Sequence, residues 1–201
     1  MTDHQQDYEL HVIFGAGAVG MAVMEELAAR GKRVRLVNRS GQADVPASVE
    51  VVKGDAADPD STRPLCQGAA VVYNCTNAPY TKWPELFPAL QTGVLAGAAS
   101  AGAKLVVMEN VYMYGPTGGR PLTEDLPYAA TTRKGRVRAK MAQDLLAAHQ
   151  AGQVQLTIGR ASDYFGPRGL LAAMGERVFY PALRGKAAQI YGNIDLLHTQ
   201  S

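Results

Sequence analysis

Residues 10–30, "LHVIFGAGAVGMAVMEELAAR", constrain the fold more than any other stretch of this chain. A short apolar run breaks at a glycine turn, and apolar residues at helical spacing follow over 21–30. The same order recurs downstream. "RVRLVN" (33–38), "VEVVK" (49–53), "AAVVYN" (69–74), "KLVVMEN" (104–110) and "VQLTIGRA" (154–161) are β-like, whereas 83–102 and 136–152 carry helical patterns. Strands apolar on both faces belong to sheets covered on both sides, and alternation with helices makes such a sheet parallel. The expectation is therefore an α/β, doubly wound parallel sheet with helices on both faces. With 201 residues, 47% of them apolar, the chain has enough material for one core of this kind over 10–161, after a polar leader at 1–9.

Within that frame the first turn is specific. Gly15, Gly17 and Gly20 form G-x-G-x-x-G between a strand and a helix, the pattern of a dinucleotide-binding Rossmann fold. One glycine permits the tight turn, one lets backbone approach a pyrophosphate, and one lets helix and strand pack closely. Backbone N–H groups over Gly15–Val19, including Ala18, are then expected to bind the pyrophosphate at the positive end of the helix. NAD sites end the second strand with an acidic residue about 20 residues past the glycines, to hold the ribose 2′-OH. Here Asn38 stands at that position and Arg39 follows it. Without a carboxylate there is no repulsion against a 2′-phosphate, and a guanidinium offers it a donor fork. NADP is expected over NAD; the alternative for Arg39 is a solvated loop cation.

Charge narrows the partners. Twenty basic against 18 acidic residues give no global bias toward nucleic acid. The basic octet "RKGRVRAK" (133–140) is local, and no aromatic residue interleaves it, so an anionic small molecule is the better functional reading and a solvated helix start the plain one. Cys66 and Cys75 form no close pair, the four histidines are scattered, and no metal site is expected. No apolar run approaches the ~20 residues of a membrane span, and "MTDHQQDYEL" is not a signal peptide. A cytoplasmic protein without membrane contact is the expectation.

Several stretches in register resemble the extended short-chain dehydrogenase/reductases, the NAD-dependent epimerase/dehydratase family. They are "GDAADPDS" (54–61), "VVYNCTNAPY" (71–80), "LVVMENVYMYG" (105–115), "EDLP" (124–127) and "GRASDYFGPRG" (159–169). The resemblance implies that Asp55 and Ala56 lie by the adenine and that the segment carrying Asn74 runs along the cofactor. It also implies that 162–201 is a partial substrate-binding lobe, since the chain ends inside the family's His-Thr stretch.

The family's catalytic set is where the chain departs. Asn110 stands where the family has Ser or Thr, and reading "RVRAK" as the family's Tyr-x-x-x-Lys puts Arg136 at the tyrosine and Lys140 at the lysine. Arginine stays protonated at physiological pH and cannot relay a proton. Lys140 is then expected at the nicotinamide ribose, with Arg136 and Asn110 facing an anionic substrate and Tyr80 walling its pocket. Glu109 is a candidate base if burial raises its pKa, a salt bridge to the basic helix being the alternative, and Tyr112 is a candidate proton carrier. Two functions fit: an oxidoreductase or epimerase acting on an anionic small molecule, and a catalytically silent NADP(H)-binding module that senses redox state through a protein partner.

Overall fold

In a computed structural model, residues 9–172, 175–190 and 195 are described. The strands β1 (Leu10–Phe14), β2 (Arg33–Asn38), β3 (Val49–Lys53), β4 (Ala69–Asn74), β5 (Lys104–Glu109) and β6 (Leu156–Arg160) form one sheet. All pairings are parallel, in the order β3-β2-β1-β4-β5-β6. The helices are α1 (Ala18–Ala29), α2 (Pro59–Cys66), α3 (Trp83–Ser100), α4 (Arg133–Gln150) and the short α5 (Phe179–Leu183). This is the doubly wound fold expected from the sequence.

The alternation of side chains along β1 explains why both faces need cover. Val12 and Phe14 join Cys66, Val94, Ala98 and Leu145, which come from α2, α3 and α4. Ile13 points the other way, onto Leu36, Val34, Met21 and Met24, the last two from α1. Every residue of β1 is buried. Full burial of a side chain such as Ile13 is worth about 1.5–3 kcal/mol, so the central strand anchors both layers.

The chain winds from β1 through β2 to β3 in one direction, then crosses back so that β4 lies on the other side of β1. The carboxyl ends of β1 and β4 are thus neighbours, and Cys75 N donates to Phe14 O at 2.9 Å. A doubly wound sheet opens its ligand crevice at this reversal.

Three details differ from the sequence reading. The helix α2 went unread, although Asp58 caps it by accepting from Asp60 N at 2.9 Å and Pro59 occupies its first turn. Helix α4 begins at Arg133 because Thr132 caps it, its hydroxyl accepting from Gly135 N at 3.0 Å. Strand β6 is shorter than 154–161. The polar leader, except Glu9, and the His198-Thr199 stretch lie outside the described residues. Among the described residues, no helix is long and apolar enough to cross a membrane.

Candidate functional site

The glycine turn meets each of its three requirements differently. Gly15 has φ +106°, and a Cβ there would lie 2.6 Å from Cys75 O, so the turn excludes a side chain by conformation and by space. A Cβ on Gly20 would sit 1.8 Å from Gly15 O, which is the close approach of helix to strand. Gly17 differs from both. Nothing lies within 4 Å of the position its Cβ would take, and it is the N-cap of α1 with no side-chain cap bond. The first amides of α1 have no partner within the helix, and no atom of the chain crowds the Cβ position of residue 17 beside them. The residues present fit a pyrophosphate at a helix N-terminus.

At the end of β2, Asn38 folds the next turn. Its Oδ1 accepts from Gly41 N (2.7 Å) and Ser40 Oγ (3.0 Å), and its Nδ2 donates to Gln42 O (2.8 Å). Arg39 follows, exposed and without an ion-pair partner among the described residues. Asp55 is exposed after β3 and orders its own loop, Oδ1 accepting from Ala57 N at 2.9 Å beside the half-buried Ala56. Asn74 is buried at the end of β4, its Oδ1 accepting from Thr76 Oγ1 at 2.7 Å. The sequence-derived residues Gly15–Gly20, Asn38, Arg39, Asp55, Ala56 and Asn74 therefore all stand at the carboxyl ends of β1–β4 or in the turns that follow.

The β5 end carries the charged part of the site. Glu109 is 1% exposed and lies between two guanidiniums, 3.7 Å from Arg138 Nη2 and 3.4 Å from Arg160 Nε. Its Oε1 has no hydrogen-bond partner among the described residues, and neither has Arg138 Nε. Burial pushes the Glu109 carboxyl above its ordinary range, and the two arginines pull it back only in part. Burial likewise lowers Arg138. Both shifts say that desolvation outweighs these long contacts. Arg160 also bonds the hydroxyls of Tyr114 and Tyr128, while Asn110 Oδ1 accepts from Tyr112 N at 3.1 Å. Glu109 is thus sealed in a salt-bridged network, the alternative left open beside its role as a base.

Helix α4 corrects the placement of the basic octet. Arg138 points inward, and Lys134, one turn earlier, lies with its Nζ 2.9 Å from the centroid of the Tyr80 ring and 5.9 Å from that of Trp83. Arg136 is exposed and bonds Thr131 O; Lys140 is exposed and pairs with Asp144. The pair spaced i, i+4 on the inner face is Lys134 and Arg138, so Arg136 and Lys140 are not brought to the site. The reason is helical phase: Ala142 and Leu145 pack inward, and that phase turns 136 and 140 to solvent.

Beside this network opens a cleft of about 810 Å³ between the Tyr80 turn, the loop after Tyr114 and the start of α4. Tyr112, Tyr80, Arg120, Arg133 and Lys134 line it. Burial and the neighbouring Tyr80 hydroxyl push the Tyr112 phenol up to about 12, so it is a protonated donor at neutral pH. Tyr80 and Tyr112, candidates from the sequence for a pocket wall and a proton carrier, both line it; Arg120 and Lys134 were not singled out from the sequence.

The description "NAD dependent epimerase/dehydratase family" matches residues 11–198. The chain belongs to that family. Its fold is shared by a dTDP-glucose 4,6-dehydratase from Bacillus anthracis in complex with NAD, at TM-score 0.78 and 19% identity, over 92% of this chain and 64% of that one. A UDP-N-acetylglucosamine 4-epimerase from Methanobrevibacter ruminantium, in complex with UDP-N-acetylmuramic acid, aligns at TM-score 0.78 and 16% identity, over 93% and 66%. A UDP-galactose 4-epimerase aligns at 0.71 and 20%, over 87% and 62%. This member of the epimerase/dehydratase family therefore spans about two thirds or less of the length of those proteins. No curated protein sequence matches it.

Proposed function

We propose that this chain binds a nicotinamide dinucleotide across the β1/β4 crevice and acts as an oxidoreductase or epimerase on an anionic small molecule rather than on nucleic acid, in the cytoplasm. The uncrowded Cβ position of Gly17 carries the reading, because it lies at the N-terminus of α1, whose first amides have no partner within the helix and suit a pyrophosphate. The cofactor supplies hydride chemistry when bound. The chain's own residues orient it: Arg39 takes the 2′-phosphate of NADP, Asp55 and Ala56 border the adenine, and Asn74 lies along the second half. Residues 10–161 form the dinucleotide domain, and the residues from 162 onward belong to the substrate side.

A second reading is a silent NADP(H)-binding module that senses redox state through a partner. The specific observation in its favour is that α4 turns Lys134 and Arg138 inward, so the face of that helix carries two cations and no tyrosine of its own. NADPH turnover across a panel of carbonyl compounds separates the two readings.

Calorimetry with NADPH and NADH tests the cofactor. A bidentate guanidinium–phosphate contact is worth about 1.5–3 kcal/mol, so NADPH should bind at least about tenfold more tightly, and Arg39→Ala should erase most of the difference. Equal affinities in the unmutated protein would overturn the NADP assignment.

A further inference from the structure

The walls of the cleft are chemically one-sided. Its lining holds three cations, Arg120, Arg133 and Lys134, and no Asp or Glu. Arg133 is partly neutralised by Glu85, at 2.8 Å and outside the lining. Among the described residues, Lys134 lies on the faces of Tyr80 and Trp83, which attract a cation without accepting its hydrogen bonds as a carboxylate does. At the same place α4 begins. The first backbone bond of this helix runs from Arg136 N to Thr132 O, so the amides of Arg133 and Lys134 precede it and are unpaired within the helix. The apolar part of the lining is Val111, Leu122 and the rings of Tyr80 and Tyr112, with Lys134 lying on the Tyr80 ring.

We propose that this cleft is a binding site for a compact organic acid: a carboxylate or phosphate monoester on a flat apolar body. The anion lies against Lys134 and the first turn of α4, and the body lies against Tyr80 and Tyr112. The threonine and tyrosine hydroxyls of the lining accept as well as donate, but it holds no carboxylate, so an anion gains more there than a neutral polyol. The volume is that of a small-molecule site, since such pockets are ~300–1,000 Å³. The inference deepens the anionic-substrate part of the proposed function and rests on it for the cleft's role, but not for the binding itself.

The sole tryptophan of the chain, Trp83, meets Tyr80 edge to face with ring centroids 5.0 Å apart and lies 5.5 Å from Tyr112, so its fluorescence reports on these rings. Titration with phenyl phosphate and with benzoate should give a saturable change, with methyl phosphate at least about tenfold weaker because it lacks the body. Lys134→Gln should weaken phenyl phosphate by at least about tenfold, Lys134→Arg should restore most of it, and Arg30→Gln, at an exposed cation on α1, should leave it unchanged. Sodium chloride at matched ionic strength should not reproduce the signal. A non-saturating response, or equal weakening by Arg30→Gln, overturns the proposal. NADPH affinity, read separately by calorimetry, decides the cofactor reading alone: its loss with phenyl phosphate still bound sinks that reading and spares the cleft.

Discussion

At the scale of single residues, the three glycines of the first turn do different jobs and should fail differently. Gly17→Val places a side chain in open space at the proposed pyrophosphate site, in a backbone conformation that valine adopts (φ −83°, ψ −173°). Dinucleotide binding should be lost, while stability falls by no more than ~1 kcal/mol, the usual cost of a poor N-cap. Gly20→Val puts a Cβ 1.8 Å from a carbonyl oxygen and should abolish folding instead. Circular dichroism and calorimetry on the two variants check the split; a Gly17→Val protein that binds NADPH normally refutes the cradle. The turn at Gly15 and the close approach at Gly20 were legible in the sequence because glycine spacing encodes them directly. The direction of the side chains on α4 was not. Spacing fixes which residues share a face, but not which face the core claims, and a two-residue slip exchanged Lys134 and Arg138 for Arg136 and Lys140.

At the scale of elements, β5 and α4 are joined by one buried carboxylate, and its titration follows from that packing. The folded-state pKa of Glu109 lies above its unfolded value, because burial disfavours the anion more than the arginines favour it. The stability this group contributes is therefore fully present below the ordinary carboxylate range and is lost as pH rises through the raised folded value. Urea midpoints measured from pH 4 to 8 should show that decline in the unmutated protein and lose it in Glu109→Gln. Arg138→Met removes the largest single attraction that offsets burial and should enlarge the decline; the double variant should be flat. A decline that survives Glu109→Gln assigns the titration elsewhere. The strands and most helices here were readable, since period-two and helical patterns record burial on two faces and on one. The helix α2 was missed because Pro64 interrupts its eight residues, leaving Asp58-Pro59 as its only clear mark.

At the scale of the whole molecule, the segment after β6 closes a loop that no local pattern announces. Tyr164 donates to Glu109 O at 3.1 Å, at the end of β5, and Arg168 reaches Glu25 on α1 at 2.5 and 3.2 Å. Between β5 and α1 lie the carboxyl ends of β4 and β1, so this short span bridges the crevice proposed for the dinucleotide. Arg168 does this with φ +64°, the one positive φ among described residues other than glycine. Such a clasp is exposed and screened by salt, so it governs exchange more than stability. Glu25→Gln should leave the thermal midpoint nearly unchanged while raising the rate of NADPH release several-fold, and added salt should raise release in the unmutated protein but not further in the variant. Stopped-flow displacement of NADPH at low and high salt measures both. Identical release rates in the two proteins at low salt would show that the Arg168–Glu25 contact does not cover the crevice.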